Sequence, residues 1–173
     1  MSKQPNYSPD GIYHIFNHAN GKENIFENTR HYQYFLTKYA EKLSEVVDTL
    51  AYCLMPNHFH LLIQVKKAPE LLAFLAKKKR LHPEKANPKQ LEGDDLYHYL
   101  VHRQFHNFLG GYSKAFNKDQ NRKGSLLRQN TRRKMVFDES YLLTVIAYIH
   151  LNSVHHALLY CQKNGFTPPI MLF

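Results

Sequence analysis

Residues 54–65 read LMPNHFHLLIQV, and this stretch decides the fold that the sequence predicts. A Pro-Asn turn signal separates the apolar run VVDTLAYCLM (46–55) from a second apolar run, HFHLLIQV. Two strand-length runs joined by two turn residues predict an antiparallel hairpin. Because side chains alternate along a strand, His58 and His60 are expected on the same face. The hairpin therefore predicts two central strands, the second of which carries two neighbouring imidazoles.

The segments around the hairpin predict further strands and a first helix. IYHIFNHA (12–19) is rich in β-branched and aromatic residues, which favours a first strand. GSLLRQNTRRKMVF (124–137) predicts a loop followed by a basic strand. Asn28 is a good N-cap for a first helix. The apolar stripe expected on that helix is Tyr32, Phe35, Leu36, Tyr39 and Leu43.

Two more helices are predicted from apolar residues at helical spacing. The second helix contains Gly110 and Gly111, which could kink it or allow close packing. Its stripe is Val101, Phe105, Phe108, Leu109, Tyr112 and Phe116. Asp138 is expected to cap the third helix. Its inward stripe is Leu142, Val145, Ile146 and Ile149.

The resulting order, β-α-β-β-α-β followed by a helix, is the split β-α-β pattern of the ferredoxin-like α+β class. We therefore expect an antiparallel sheet with helices packed on it and an additional C-terminal helix. The 173 residues predict one domain spanning 1–173. Residues 77–95 are charged, contain two prolines and show no apolar periodicity, so they predict an exposed insertion.

The composition indicates a polyanionic partner. Lys and Arg number 23 against 14 Asp and Glu, which gives a formal net charge of +9. Such a balance favours nucleic acid, although a basic protein without a polyanionic partner is the alternative. The two cysteines, Cys53 and Cys161, lack CxxC spacing and predict buried thiols in a reducing compartment. No apolar run has the length of a membrane span and no signal peptide is visible, so a cytoplasmic protein without a membrane partner is expected.

The histidine pair has two interpretations. Two neutral imidazoles on one strand face can bind a divalent ion and leave positions open for water or substrate. However, 12 histidines are present, so about one His-x-His pair is expected by chance. The alternative is a pair of histidines that hydrogen-bond at the end of a sheet.

The third helix strengthens the metal interpretation. Tyr148 and Asn152 are four residues apart and share a helical face. An amide oxygen of Asn152 could act as a third, harder ligand, with the Tyr148 hydroxyl beside the ion. Tyrosine can also act as a covalent nucleophile. The alternative is that Tyr148, one of 12 tyrosines, only packs.

Three ordered blocks carry a resemblance to a known family. They are MPNHFHLLI (55–63), YSKAFNKDQNRKGSLLRQNTRRK (112–134) and AYIHLNSVHHAL (147–158), with weaker support from GKENIF (21–26). The chain resembles the single-tyrosine HUH transposases, and more closely the REP-associated tyrosine transposases.

The resemblance implies a site and a reaction. His58 and His60 match the metal-binding pair, Asn152 matches the third ligand and Tyr148 matches the nucleophile. A divalent metal, Mg²⁺ or Mn²⁺, is then the expected cofactor. The implied activity is cleavage and transfer of single-stranded, hairpin-associated DNA through a 5′-phosphotyrosine intermediate, by a nucleoid-associated monomer or homodimer. The residues expected to bind DNA are Arg122, Lys123, Arg128, Arg132, Arg133 and Lys134.

Several alternatives stay open. The basic stretch could be a solvated loop, and the basic run at 77–80 could either clamp a hairpin stem or keep an insertion soluble. His98, His102 and His106 have a helical spacing that could bind zinc. The chain could bind DNA or RNA hairpins without catalysis. It could also be a metal-dependent hydrolase that uses water as its nucleophile.

Overall fold

The predicted hairpin forms the centre of the sheet in the computed structural model, which describes residues 4–82, 90–155 and 161–163. Strand β2 (Val47–Met55) pairs antiparallel with β3 (His58–Val65) through the two-residue turn at Pro56 and Asn57. The turn carbonyls accept backbone hydrogen bonds from the loop after the first strand: Asn57 O from Ala19 N at 2.7 Å, and Pro56 O from Ile25 N at 2.6 Å. These bonds hold the start of β3 in a defined position.

The other strands complete an antiparallel sheet. They are β1 (Ile12–His18), β4 (Arg132–Val136) and β5 (Cys161–Lys163). The spatial order is β4-β1-β3-β2-β5. The first four positions follow the ferredoxin-like order, because β3 lies between β1 and β2 and is antiparallel to both. The structure thus confirms the α+β class.

Within the described residues, four helices connect or follow the strands. They are α1 (Thr29–Leu43), α2 (Ala68–Leu81), α3 (Gly93–Asp119) and α4 (Glu139–His155). Two predicted caps are confirmed. The Asn28 side chain accepts a hydrogen bond from His31 N at 3.2 Å, and the Asp138 carboxylate accepts one from Tyr141 N at 2.7 Å. Among the described helices none is long and apolar enough to cross a membrane.

The helices divide unequally between the two faces of the sheet. Phe59, Leu61 and Ile63 of β3 pack into a large core with α1 and α3, and that core includes the predicted stripes of both helices. The opposite face is covered by α4, where Val145 and Ile149 contact a smaller apolar cluster. Because α4 is the only described helix that covers this face, a pocket remains beside His58 and His60.

The described residues within 77–95 are mostly exposed, as predicted, but both ends of this segment are helical. The first five belong to α2 and the last three begin α3, while 83–89 lie outside the described residues. Helix α2 was missed, although Leu71, Phe74 and Leu75 have helical spacing and are buried. A proline in its first turn is a further helix signal.

Two smaller expectations also need correction. Helix α3 continues through Gly110 and Gly111, and a Cβ at either position would have no atom within 4 Å, so close packing does not require these glycines. Cys53 is disulfide-bonded, which contradicts the prediction of a buried thiol. Its Cα partner on β5 is Cys161.

Candidate functional site

The histidine pair belongs to a cluster of four imidazoles on the α4 face of the sheet. In the register between β1 and β3, His18 pairs with His58 and Phe16 pairs with His60. Because side chains alternate, His14 joins the same face. The rings of His18 and His58 stack with centroids 4.6 Å apart, and those of His14 and His60 with centroids 5.1 Å apart.

The sequence predicted only His58 and His60, half of this cluster. His14 and His18 are an even number of residues apart on β1, as His58 and His60 are on β3, so each pair lies on one face of its strand. This even spacing is the sequence signal for His14 and His18, but it becomes informative only when β1 is known to pair with β3. Without the register, the two pairs cannot be assigned to the same face.

The hydrogen bonds leave one imidazole nitrogen of His60 available. His60 Nδ1 lies 2.9 Å from His14 Nε2, and both side chains are buried, at 5% and 7% exposure. His60 Nε2 has no hydrogen-bond partner among the described residues. A buried polar atom without a partner is rare and costs about 1–3 kcal/mol, so it calls for an explanation such as an ion. The buried Nε2 atom of His60 is therefore suited to bind a divalent cation.

Burial and nearby charges favour the neutral form of three of these imidazoles, those of His14, His18 and His60. Burial, with smaller contributions from the neighbouring histidines, lowers the pKa of His60 to about 3. Burial lowers the pKa of His14 to about 4, with a contribution from the Lys134 ammonium. The pKa of His18 is also lowered, by burial and by the Arg128 charge. A neutral imidazole can bind a metal without first losing a proton.

This burial predicts a specific pH dependence of stability. Histidines of the unfolded chain titrate near pH 6.5, whereas His14 and His60 stay neutral to about 4 and 3 in the folded chain. The unfolded chain thus binds more protons as the pH falls below 6.5. The free energy of unfolding should fall by up to about 1.4 kcal/mol per pH unit for each histidine, between about pH 6.5 and 4.

Urea unfolding of the wild type and of His14→Phe at about pH 7, 5.5 and 4.5 checks this expectation. The variant has one fewer histidine with a lowered pKa, so its free energy of unfolding should fall less steeply as the pH is lowered over this interval. Parallel profiles for the two proteins would contradict the assignment of His14 as a buried neutral group.

Tyr148 lies directly against the histidines. Its ring contacts His60 edge to face with centroids 5.2 Å apart, and the centroid of His14 is 6.4 Å away. The side chain is 45% exposed, and no described residue hydrogen-bonds to its hydroxyl. Tyr148 borders a pocket of about 360 Å³ that is open to solvent. The other residues around this pocket are His14, Phe16, His18, His58, His60, Lys134, Tyr141, Thr144 and Val145.

The predicted third ligand is only partly described. Asn152 lies on α4 one turn after Tyr148, and its side chain lies outside the described residues. Within the described part of the chain, no group of three His, Cys, Asp or Glu could hold a metal ion. The zinc site considered for His98, His102 and His106 is therefore wrong. His98 Nδ1 instead accepts a hydrogen bond from Tyr7 N at 3.2 Å.

The strand register separates the predicted DNA-binding residues. Arg132 and Lys134 are the β4 partners of Phe16 and His14, which places both on the histidine face. Arg133 lies on the opposite face, where its guanidinium is over the Tyr7 ring at 4.6 Å and donates to the Pro5 carbonyl. The basic run at 132–134 thus supplies charges to both faces of the sheet.

The remaining basic residues occupy the loop before β4. Arg122 pairs with Glu23 and donates to Asn117 at 2.6 Å, so its charge is engaged within the fold. Lys123 and Arg128 are exposed. Arg128 N donates to the His18 carbonyl at 2.9 Å, which anchors this loop beside the imidazole cluster.

A second cavity lies between α3 and the loop before β4. It has a volume of about 830 Å³ and is bordered by Arg128, Arg133 and several amide side chains, including Asn17. None of the described residues around it carries a carboxylate. Such a lining favours anionic or hydrogen-bonding ligands.

Comparison with known proteins supports the fold. No protein-family model matches the chain, and no curated protein matches it significantly. The structure is similar to that of a REP-associated tyrosine transposase bound to a REP hairpin, with a TM-score of 0.56 and 12% sequence identity. The match covers 90% of this chain and 74% of the other. At this identity the similarity shows a common fold.

Proposed function

We propose that this protein is a metal-dependent transposase that cleaves and transfers single-stranded, hairpin-associated DNA. The observation that carries the proposal is the contact between Tyr148 and His60, whose buried Nε2 has no hydrogen-bond partner in the described part of the chain. A potential nucleophile and a potential metal ligand thus lie together beside an open pocket. The similar transposase structure contains a bound hairpin, and the net charge of +9 favours DNA as the partner here.

His58, His60 and the amide oxygen of Asn152 would hold the Mg²⁺ or Mn²⁺ ion. Imidazole and amide ligands are neutral, so the bound ion would keep its full charge to neutralise the scissile phosphate and the departing oxygen. Tyr148 and Asn152 are one helical turn apart on α4. This spacing would couple the position of the nucleophile to that of the third ligand.

Tyr148 would act as the nucleophile. Its hydroxyl oxygen attacks the phosphorus of a phosphodiester, loses its proton to solvent or to a base, and forms the new P–O bond. The bond from phosphorus to the 3′-oxygen breaks, and that oxygen takes up a proton to become a 3′-hydroxyl. The product is a 5′-phosphotyrosine adduct. Because one phosphodiester is exchanged for another, a 3′-hydroxyl can reverse the step or join a different end.

A denaturing gel tests the proposal directly. Protein incubated with labelled single-stranded hairpin DNA and Mn²⁺ should yield a band that contains both protein and DNA and resists denaturation. Hairpin binding without such a band, in either Mg²⁺ or Mn²⁺, would contradict the catalytic proposal. That result would instead favour a hairpin-binding module of the same fold.

The strand register predicts which basic residues bind the DNA at this site. Arg132→Gln combined with Lys134→Gln removes both β4 charges on the histidine face. The slope of log affinity against log salt should then become shallower by roughly two, because two phosphate contacts are lost. Fluorescence anisotropy of a labelled hairpin over a KCl series measures the slope.

Lys79→Gln with Arg80→Gln provides the matched control, since it removes the same charges from the exposed end of α2. We expect this control to keep the wild-type slope. Equal effects of the two double variants would indicate that only the net charge matters. That outcome would remove the β4 residues from the proposed interface.

A further inference from the structure

We propose that His14 and Asn57 are positioning residues that fix the tautomers of His60 and His58 and so direct both Nε2 atoms at the metal. This inference rests on the proposed metal site and deepens it. Neither residue is among the predicted ligands. Each lies within hydrogen-bond distance of the Nδ1 atom of one histidine of the pair.

The contact of His58 determines its tautomer directly. Asn57 Oδ1 lies 2.6 Å from His58 Nδ1. An amide oxygen only accepts hydrogen bonds, so Nδ1 must carry the proton. The lone pair of the neutral ring is then on Nε2. Asn57 sits in the turn held by the Ala19 and Ile25 backbone bonds, which makes it a rigid support.

The contact of His60 allows two proton arrangements, and burial distinguishes them. His60 Nδ1–H can donate to His14 Nε2, or His14 Nε2–H can donate to His60 Nδ1. The second arrangement would put a hydrogen on His60 Nε2, which is buried and has no partner among the residues that the structure describes. An unpaired buried N–H is costly and cannot bind a cation. The first arrangement leaves a lone pair on Nε2 and is the one suited to a metal ligand.

The position of His14 allows this role. It lies on β1 two residues from Phe16, the direct partner of His60, and therefore reaches His60 diagonally across the strands. At 7% exposure it is shielded from water that could replace its contact. Hydrogen bonds of this kind to the second nitrogen of a ligand imidazole set its tautomer and orientation, and their loss typically weakens metal binding about 10–100-fold.

Paired variants separate positioning from simple packing. His14→Phe keeps a ring of similar size but removes the acceptor, and His14→Gln restores an acceptor as an amide oxygen. Mn²⁺ affinity, measured by electron paramagnetic resonance of the free ion, should fall about 10–100-fold in His14→Phe and recover substantially in His14→Gln. Asn57→Ala and Asn57→Asp form the equivalent pair for His58. His82→Phe, at the exposed end of α2, is the control and should bind Mn²⁺ as the wild type does.

A measurement without metal tests the same inference independently. Long-range ¹H–¹⁵N NMR of histidine-labelled protein distinguishes the two neutral tautomers of each ring. The wild type should show protonated Nδ1 on His58 and on His60, and His14→Phe should shift His60 towards the other tautomer. A merely structural role of His14 would leave the His60 tautomer unchanged.

These measurements distinguish failure of the positioning role of His14 and Asn57 from failure of the proposed function. A wild-type protein that binds no Mn²⁺ but shows both Nδ1–H tautomers would overturn the metal site and uphold only the tautomers assigned to His58 and His60. Protonated Nε2 on His58 or His60 in the wild type would overturn the positioning, even if the variants failed to fold. Unchanged Mn²⁺ affinity in His14→Phe and Asn57→Ala would overturn it as well.

Discussion

Tyr148→Phe is expected to abolish the covalent protein–DNA adduct, with a loss of at least about 1000-fold in the rate of its formation. The substitution removes only the attacking oxygen. Because the side chain is 45% exposed and no described residue hydrogen-bonds to its hydroxyl, stability should change by less than about 0.5 kcal/mol. Hairpin affinity should also be preserved, so a loss of adduct would report on the chemical step.

The measurement is the denaturing gel with labelled hairpin DNA and Mn²⁺, combined with thermal unfolding. Tyr34→Phe is the matched control, because Tyr34 is also an exposed tyrosine but lies on α1, across the sheet from the histidines. It should form the adduct at the wild-type rate. An adduct that persists in Tyr148→Phe would assign the nucleophile to another residue. Cleavage without an adduct in both proteins would indicate a hydrolase that uses water.

His60→Leu should have the second large effect, a loss of Mn²⁺ affinity of at least about 100-fold. Removing a ligand should cost at least as much as removing a group that only orients one. Stability should change by less than about 1 kcal/mol, because two effects of similar size oppose each other. The substitution removes the buried Nε2 that has no described partner, but it leaves His14 Nε2 without its partner.

Free Mn²⁺ measured by electron paramagnetic resonance and urea unfolding in the absence of metal test this prediction. His82→Leu, a histidine at the exposed end of α2, should leave both quantities unchanged. If His60→Leu binds Mn²⁺ as tightly as the wild type, His60 is not a ligand. A loss of stability of several kcal/mol would indicate that His60 serves mainly to hold the core together.

The part of the site that depends on local spacing could be predicted. The neighbouring positions of His58 and His60 follow from strand alternation, and the position of Tyr148 beside the inward stripe of α4 follows from helical periodicity. Their contact is a tertiary fact, since it requires α4 to pack on the same face that carries the histidines. The family resemblance anticipated this arrangement. The roles of Tyr148 and of the metal ligands stay predictions.

Other parts of the site could not be predicted because they depend on strand register. His14 lies 46 residues before His60, and only the pairing of β1 with β3 brings their nitrogens within 2.9 Å. The pairing of β4 with β1 likewise separates Arg132 and Lys134 from Arg133. A shift of the strand register by one residue would move these side chains to the opposite face of the sheet.

The sequence by itself determined β1 to β4, most of the helices, two of their caps and the ferredoxin-like order, because these depend on side-chain periodicity and on capping residues close along the chain. It did not predict β5 or α2, in which a short apolar stripe precedes a charged segment. Only the tertiary structure decided which histidines share a face, which hydrogen bonds they make and which nitrogen lacks a described partner. Those features arise when distant strands pair and remove the imidazoles from water, and burial converts otherwise ordinary histidines into neutral, oriented groups.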